Sequence, residues 1–305
     1  MPQWLDQARL KIRLDRRTAI AGAIVGCAGA IAIIVMFASS RSRAAEADQA
    51  RAGIGEGREA SLTVNLPPPF TDRIYGAPQA RGRPIIVIDA GHGGRDPGAR
   101  GVSGEVVEKD LTLSLARALR DQLVERGRVR VAMTREDDRY LTLDDRAAVA
   151  RRLGAAMFVS LHIDSAANPL ARGASVYSLS DVASDAEAAE LAASENRGAR
   201  VKDSNGSVQS MLSDLSMRSQ MSASADLASR LVHKSAGRFE LRPQPHKFAG
   251  FYVLKSAATP AVLFEAGYIS NVDDEALLRD PQHRSAIVLA LAQAIETDVA
   301  AHARH

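Results

Sequence analysis

From residue 84 onward, short β-branched runs alternate with segments whose apolar residues recur every three or four positions. Residues 85–89 (IIVID) make the first run. Residues 110–126 follow with Leu111, Leu115, Leu119 and Val124 near helical spacing, and 129–134 read as a second strand. Further along, 141–153 reads as a helix, 157–162 and 174–178 as strands, 251–254 and 261–265 as two more strands, and 283–300 as a closing helix. Alternation of this kind predicts an α/β domain on a largely parallel sheet. Loops at the carboxyl ends of such strands are the usual place for a site. Residues 179–248 break the pattern with an acidic, alanine-rich helix candidate at 185–196, the polar stretch GARVKDSNGS and an amphipathic candidate at 208–231. An insertion of this length inside an α/β domain points to function.

Upstream of the domain the pattern changes twice. Residues 1–17 hold five basic and two acidic residues, which accounts for the whole formal charge of +3. The basic balance therefore belongs to a tail, and nucleic acid is not an implied partner. Next come 21 residues without a charge, TAIAGAIVGCAGAIAIIVMFA at 18–38. At about 1.5 Å per residue they just cross a bilayer core of about 30 Å. They read as an inner-membrane anchor or as a signal segment, with the basic tail left in the cytoplasm and the rest exported to the periplasm. Residues 39–83 have linker composition, ending in LPPPF and Pro84, so the domain is expected to start at residue 84 and run to about 301. The one cysteine, Cys27, lies in the hydrophobic run, so the exported domain must be held together by its core and not by disulfides.

Candidate chemistry sits where two strands end. The stretch VIDAGHGGRDPGARG (87–101) runs from a strand into a loop with five glycines around His92, and His162 ends the strand at 157–162. Glu108, in VVEKDLTL, opens the helix after that loop, with Glu105 as a nearby competitor. Two imidazoles and a carboxylate suit Zn²⁺ and leave a fourth position for water. Asp89 and Asp164 flank the histidines and either orient them or cap loops. His233, His246, His283, His302 and His305 have no comparable context and read as surface or packing residues.

Taken together, VIDAGHGGRDPGARG, EKDLTL, TREDDRYLTLDDRAAVAR, FVSLHIDSA, ARGASVYSLS, AGFYVLKSAATPAVLFEAGYISN and DDEALLRDPQHRSAIVLALAQAI resemble the zinc-dependent N-acetylmuramoyl-L-alanine amidases over residues 84–300. The resemblance implies a mixed, largely parallel sheet flanked by helices, with the inserted helical segment near the active site. It implies His92, Glu108 and His162 as zinc ligands and Glu265, in LFEAGYISN, as the catalytic glutamate. The implied reaction is cleavage of peptidoglycan between the lactyl group of N-acetylmuramic acid and L-alanine of the stem peptide. Some members carry a helix inserted at this point, whose glutamate fills the metal's open position until a protein activator moves it. Here DAEAAELAASEN offers Glu187, Glu190 and Glu195, and position relative to the family pattern selects Glu195. Two other readings remain open: an inactive peptidoglycan-binding scaffold, and a zinc peptidase cutting within the stem peptide.

Overall fold

The structure is a computed structural model that describes residues 72–199 and 208–302. The basic tail, the hydrophobic segment 18–38, linker residues 39–71 and most of the polar stretch lie outside the described residues. Seven strands form one sheet: β1 (Ile74–Tyr75), β2 (Ile85–Ala90), β3 (Arg130–Met133), β4 (Met157–Asp164), β5 (Ala174–Leu179), β6 (Leu241–Ala249) and β7 (Ala261–Tyr268). Their order is β1-β3-β2-β4-β7-β5-β6. The pairs β3·β2, β2·β4, β4·β7 and β5·β6 are parallel, while β1·β3 and β7·β5 are antiparallel. The sheet is thus mixed and largely parallel, as expected.

Every residue of β2, β4, β5 and β7 is buried. Strands covered on both faces need apolar side chains on both, which is why β2 and β4 read as continuous runs instead of alternating ones. Among the described residues seven α-helices cover the faces: α1 (Glu108–Arg126), α2 (Leu143–Leu153), α3 (Ala186–Glu195), α4 (Val208–Ser235), α5 (Tyr252–Ala257), α6 (Val272–Arg279) and α7 (Pro281–His302). Core residues of α1, α4, α6 and α7 pack in one cluster with Val159, Leu161 and Phe264. Those of α2, α3 and α5 pack in a second with Phe158 and Leu263. Because side chains alternate along a strand, His162, four residues beyond Phe158, faces the second layer, where the inserted helix α3 lies. None of the described helices is long and apolar enough to cross a membrane.

Three expectations about boundaries need correction. The folded domain begins before residue 84, because β1 pairs with the edge of β3 (Ile74 opposite Ala132). The insertion is shorter than residues 179–248, since 241–249 is the strand β6. Its sequence LRPQPHKFA hides a strand because Pro243 and Pro245 cannot donate to a ladder, and they are tolerated on the outermost strand of the sheet. Residues 251–254 are not a strand: Phe251 caps the helix α5, whose buried residues Val253, Leu254 and Ala257 sit on one helical face. A four-residue apolar run carries no period long enough to tell the two apart.

Candidate active site

The carboxyl ends of the three central strands bring the chemistry together. His92 lies two residues past β2, His162 is within β4, and Glu265 in β7 is the register partner of His162. Glu108 is the first residue of α1 and is 4 % exposed. Donor atoms of His92, Glu108 and His162 all lie within 4.8 Å of one another. Glu108 Oε1 is 3.0 Å from His92 Nε2 and 3.1 Å from His162 Nδ1. The competitor Glu105 is not part of the cluster: it is exposed and pairs with Arg279 at 3.1 Å.

Two of the three ligand candidates, Glu108 and His92, are oriented by a second group. Backbone amides of Ala99 and Ile163 donate to the two oxygens of Glu108, at 2.9 and 3.0 Å. His92 Nδ1 meets Asp96 Oδ2 at 2.9 Å, which leaves Nε2 facing the centre. Nε2 is buried without a hydrogen-bond partner, because its 3.0 Å approach to Glu108 lacks hydrogen-bond geometry. Two glycines make this crowding possible. A Cβ on Gly91 would stand 2.5 Å from His162 Cε1, and one on Gly98, at φ +67°, would stand 2.5 Å from Glu108 Oε2.

Glu195, the last residue of α3, reaches the same imidazoles, with Oε2 at 3.4 Å from His162 Nδ1 and 3.8 Å from His92 Nε2. The other two candidates of that helix are elsewhere. Glu190 is exposed, and Glu187 accepts from Arg242, Lys247 and Tyr268. Tetrahedral zinc with bonds of about 2.0–2.1 Å holds its donors about 3.3 Å apart. The separations of 3.0, 3.1, 3.4 and 3.8 Å bracket that value, so these residues fit the ion.

Electrostatics agree with the geometry. Burial lowers the affinity of His92 for a proton, but Glu108, Asp96 and Glu195 outweigh it and lift its pKa to about 10. Burial pushes Glu108 up, yet the two histidines hold it below the usual carboxylate range. Glu265, 1 % exposed, is pushed well up by burial and by Asp164, Glu108 and Glu195, and its Oε2 has no hydrogen-bond partner. An excess of buried carboxylate around two imidazoles is a field that a divalent cation relieves. The site opens into a cleft of about 1120 Å³, lined among others by Arg95, Tyr140, Leu191 and Glu195.

Of the flanking acids, Asp89 touches neither histidine. Its oxygens accept from Thr134, Arg146 and Ser160 at 2.7, 2.9 and 2.6 Å. Asp164 accepts from its neighbour Ser165 N, and burial raises its pKa to about 6. Of the remaining histidines, His246 bonds Ser178, His283 packs on Phe239 and His302 meets Asp298, all away from the cluster; His305 lies outside the described residues. Sequence reading missed Asp96, Arg135 and Arg146. Arg146 had a signal: it lies three residues after Leu143 and three before Val149, on the apolar stripe of α2, where a charge is out of place.

The protein-family model described as N-acetylmuramoyl-L-alanine amidase matches residues 86–297. The N-acetylmuramoyl-L-alanine amidase AmiA of Escherichia coli is 36 % identical over 225 residues, covering 72 % of this chain and 77 % of that one. Among solved structures, the catalytic domain of CwlV, an amidase from Bacillus (Paenibacillus) polymyxa var. colistinus, superposes with a TM-score of 0.52 at 25 % identity, covering 70 % of this chain and 96 % of that one. The CwlD amidase from Clostridioides difficile, in complex with the GerS lipoprotein, has the same fold, with a TM-score of 0.54 at 22 % identity, covering 72 % of this chain and all of that one (100 %). With the family model spanning residues 86–297 and AmiA 36 % identical over 72 % of the chain, the chain belongs to the N-acetylmuramoyl-L-alanine amidase family.

Proposed function

We propose that this amidase cuts the amide bond between the lactyl group of N-acetylmuramic acid and L-alanine of the stem peptide, in cell-wall remodelling and daughter-cell separation. His92, Glu108 and His162 would hold zinc as its cofactor. The observation that carries the reading is the meeting of three donors around one point beside a buried, unpartnered oxygen of Glu265. Bound there, zinc supplies a Lewis acid for the carbonyl and lowers the pKa of water toward about 7. Glu265 takes the proton of the attacking water on its unpartnered Oε2 and returns it to the departing L-alanine nitrogen. Asp96 keeps the His92 ring turned so that Nε2 faces the ion, and Ile163 N and Ala99 N fix the Glu108 carboxylate.

Glu195 is read as an autoinhibitory fourth ligand. With its Oε2 3.4 Å from His162 Nδ1 and 3.8 Å from His92 Nε2, its carboxylate would take the position an attacking water needs, and four protein ligands would make a closed site. Helix α3 would then have to move before substrate is cut, and a protein activator is the agent proposed. The CwlD relative is seen with a lipoprotein partner, which supports a protein in that role. The reading also places the domain in the periplasm, exported by residues 18–38 and either anchored by them in the inner membrane or released.

Mass spectrometry of purified sacculi digested by the full chain tests the activity. Expected products are stem peptides with a free N-terminal L-alanine, lost on chelation and restored by zinc. Cuts inside the stem peptide would make the protein a peptidase, and no release even after Glu195→Ala would make it an inactive scaffold.

A further inference from the structure

Two arginines are buried beneath the His92 loop, Arg135 at 1 % and Arg146 at 3 % exposure. Buried guanidiniums are retained only where their donors are satisfied. Among the described residues one carboxylate pairs with them, Asp89, at 2.9 Å from Arg146 Nη1. Apart from a 3.2 Å bond from Arg135 Nη2 to Thr112 Oγ1, their other donors go to the main chain. Arg135 Nε donates to the carbonyl of Ala90 at 2.9 Å, and its Nη2 to those of Gly91 and Lys109, both at 2.8 Å. Arg146 donates to Ala90 O and His92 O, each at 2.6 Å. Three consecutive carbonyls are therefore held just where β2 ends and its ladder can no longer hold them. The fourth, Lys109 O, belongs to the first turn of α1, next to Glu108.

His92 also has φ +59°, a left-handed conformation that side chains with a Cβ rarely adopt. A loop free to relax would take His92 to negative φ and swing its ring away from His162. We propose that Arg135 and Arg146 are positioning residues that pre-form the metal cradle: Arg146 locks the backbone of His92, and Arg135 ties that loop to the helix start carrying Glu108. The fork of a guanidinium matters here, since each arginine spans carbonyls that one ammonium cannot reach together. Their charge works the other way, because a buried cation repels a metal ion. Positioning and electrostatics thus predict opposite signs for the loss of an arginine.

The inference rests on the metal reading of the site, and the experiment separates the two. Zinc affinity of the full chain is measured by competition with a chromophoric chelator, with Co²⁺ absorption as a report on ligand geometry. Arg146→Lys and Arg135→Lys keep the charge and lose the fork; each is expected to weaken zinc binding about 10- to 100-fold and to alter the Co²⁺ spectrum. Arg146→Gln is expected to weaken it as well, although it removes a repulsive charge. Wild-type affinity and spectrum in both lysine variants, or tighter binding in Arg146→Gln, overturns the clamp. A wild type that takes up no zinc defeats the metal reading instead. Hydrogen exchange on zinc-free wild type needs no variant to fold. The amides of Gly91 and Gly93, bonded to Leu161 O and Asp96 O at 3.0 and 2.9 Å, should be protected without metal; protection appearing only when zinc is added shows that the cradle is not pre-formed.

Discussion

Two carboxylates approach the same pair of imidazoles from different parts of the chain, and they are held in very different ways. Glu108 comes from α1, 5 % exposed in its side chain, with a backbone amide on each oxygen. Glu195 comes from α3, 17 % exposed, and among the described residues its carboxylate meets only His92 and His162. Their helices differ as well. Helix α1 buries four leucines, Leu113, Leu115, Leu119 and Leu123, each contributing about 1.5–3 kcal/mol. Helix α3 buries only Ala188 and Ala192. One carboxylate is part of the core, and the other is presented by an element with little apolar burial, held by the polar contacts of Glu187 and Asn196. The proposed permanent ligand and the proposed removable one are thus distinguished by what stands behind them, not by their distances to the two imidazoles.

The largest effect expected with the metal site intact falls on neither carboxylate. Glu265→Gln keeps the shape of the site and removes its proton acceptor, so turnover should fall about 10²- to 10⁴-fold with zinc content unchanged by metal analysis. Activity lost together with the metal would show Glu265 to be a ligand or a structural residue instead. The comparison is next tested directly by truncating each carboxylate in turn. Glu108→Ala should lose both zinc and activity. Glu195→Ala should retain zinc and raise activator-free hydrolysis of sacculi about 10- to 1000-fold, the gain available when a closed state that leaves 0.1–10 % open is abolished. Unchanged basal hydrolysis in Glu195→Ala, with normal activated activity, sinks the autoinhibitory reading.

What was legible in the sequence follows the same division. The buried strands announced themselves because IIVID and MFVSLH are apolar through and through, and strand-end logic alone was enough to bring His92 and His162 forward. Glu265 was not visible that way: a glutamate closing an apolar strand is equally a buried partner for an arginine, and only the resemblance to the amidases gave it a role. Arg135 and Asp96 could not be read because their function is spatial. Arg135 acts on carbonyls 44 and 45 residues away, with no local period to mark it. The segment that became β6 was hidden by its two prolines, and α5 by its brevity. Around α3 the acidic, alanine-rich composition was enough: the helix lies where the sequence had it, with Asp185 accepting from Ala188 N at its start.

A smaller effect is expected from loosening α3 without touching its ligand. Glu187, Leu191 and Glu195 form one stripe at i, i+4 and i+8, so the contacts of Glu187 set where Glu195 arrives. Glu187 accepts from Arg242 at 2.8 Å, Lys247 at 2.5 Å and Tyr268 at 2.6 Å, tying α3 to β6 and β7. Glu187→Gln weakens two charged contacts and leaves the fourth ligand in place. Basal hydrolysis should rise a few-fold, less than in Glu195→Ala, and the double variant should gain nothing over Glu195→Ala alone. A double variant more active than either single one would mean that Glu187 acts on something other than the delivery of Glu195.

The smallest effect belongs on the rigid side. Thr142 caps α2, the helix that carries Arg146: its hydroxyl accepts from Asp145 N at 3.2 Å, and Asp145 Oδ2 accepts from Thr142 N at 3.2 Å. Removing the reciprocal pair in Thr142→Ala costs about 1 kcal/mol, which for a domain of this size lowers Tm by about 2–4 °C. Because Val149 and Ala150 keep the helix packed in the core and Asp89 still holds Arg146, the loss should appear in thermal unfolding and not in activator-free hydrolysis. Helix α3 behaves in the opposite sense: loosening it should raise basal activity with little change in Tm, since it contributes two alanines to the core. If Thr142→Ala raised basal hydrolysis as Glu187→Gln is expected to, inhibition would depend on general rigidity of the sheet's second layer, and the distinction between a fixed and a removable carboxylate would fail.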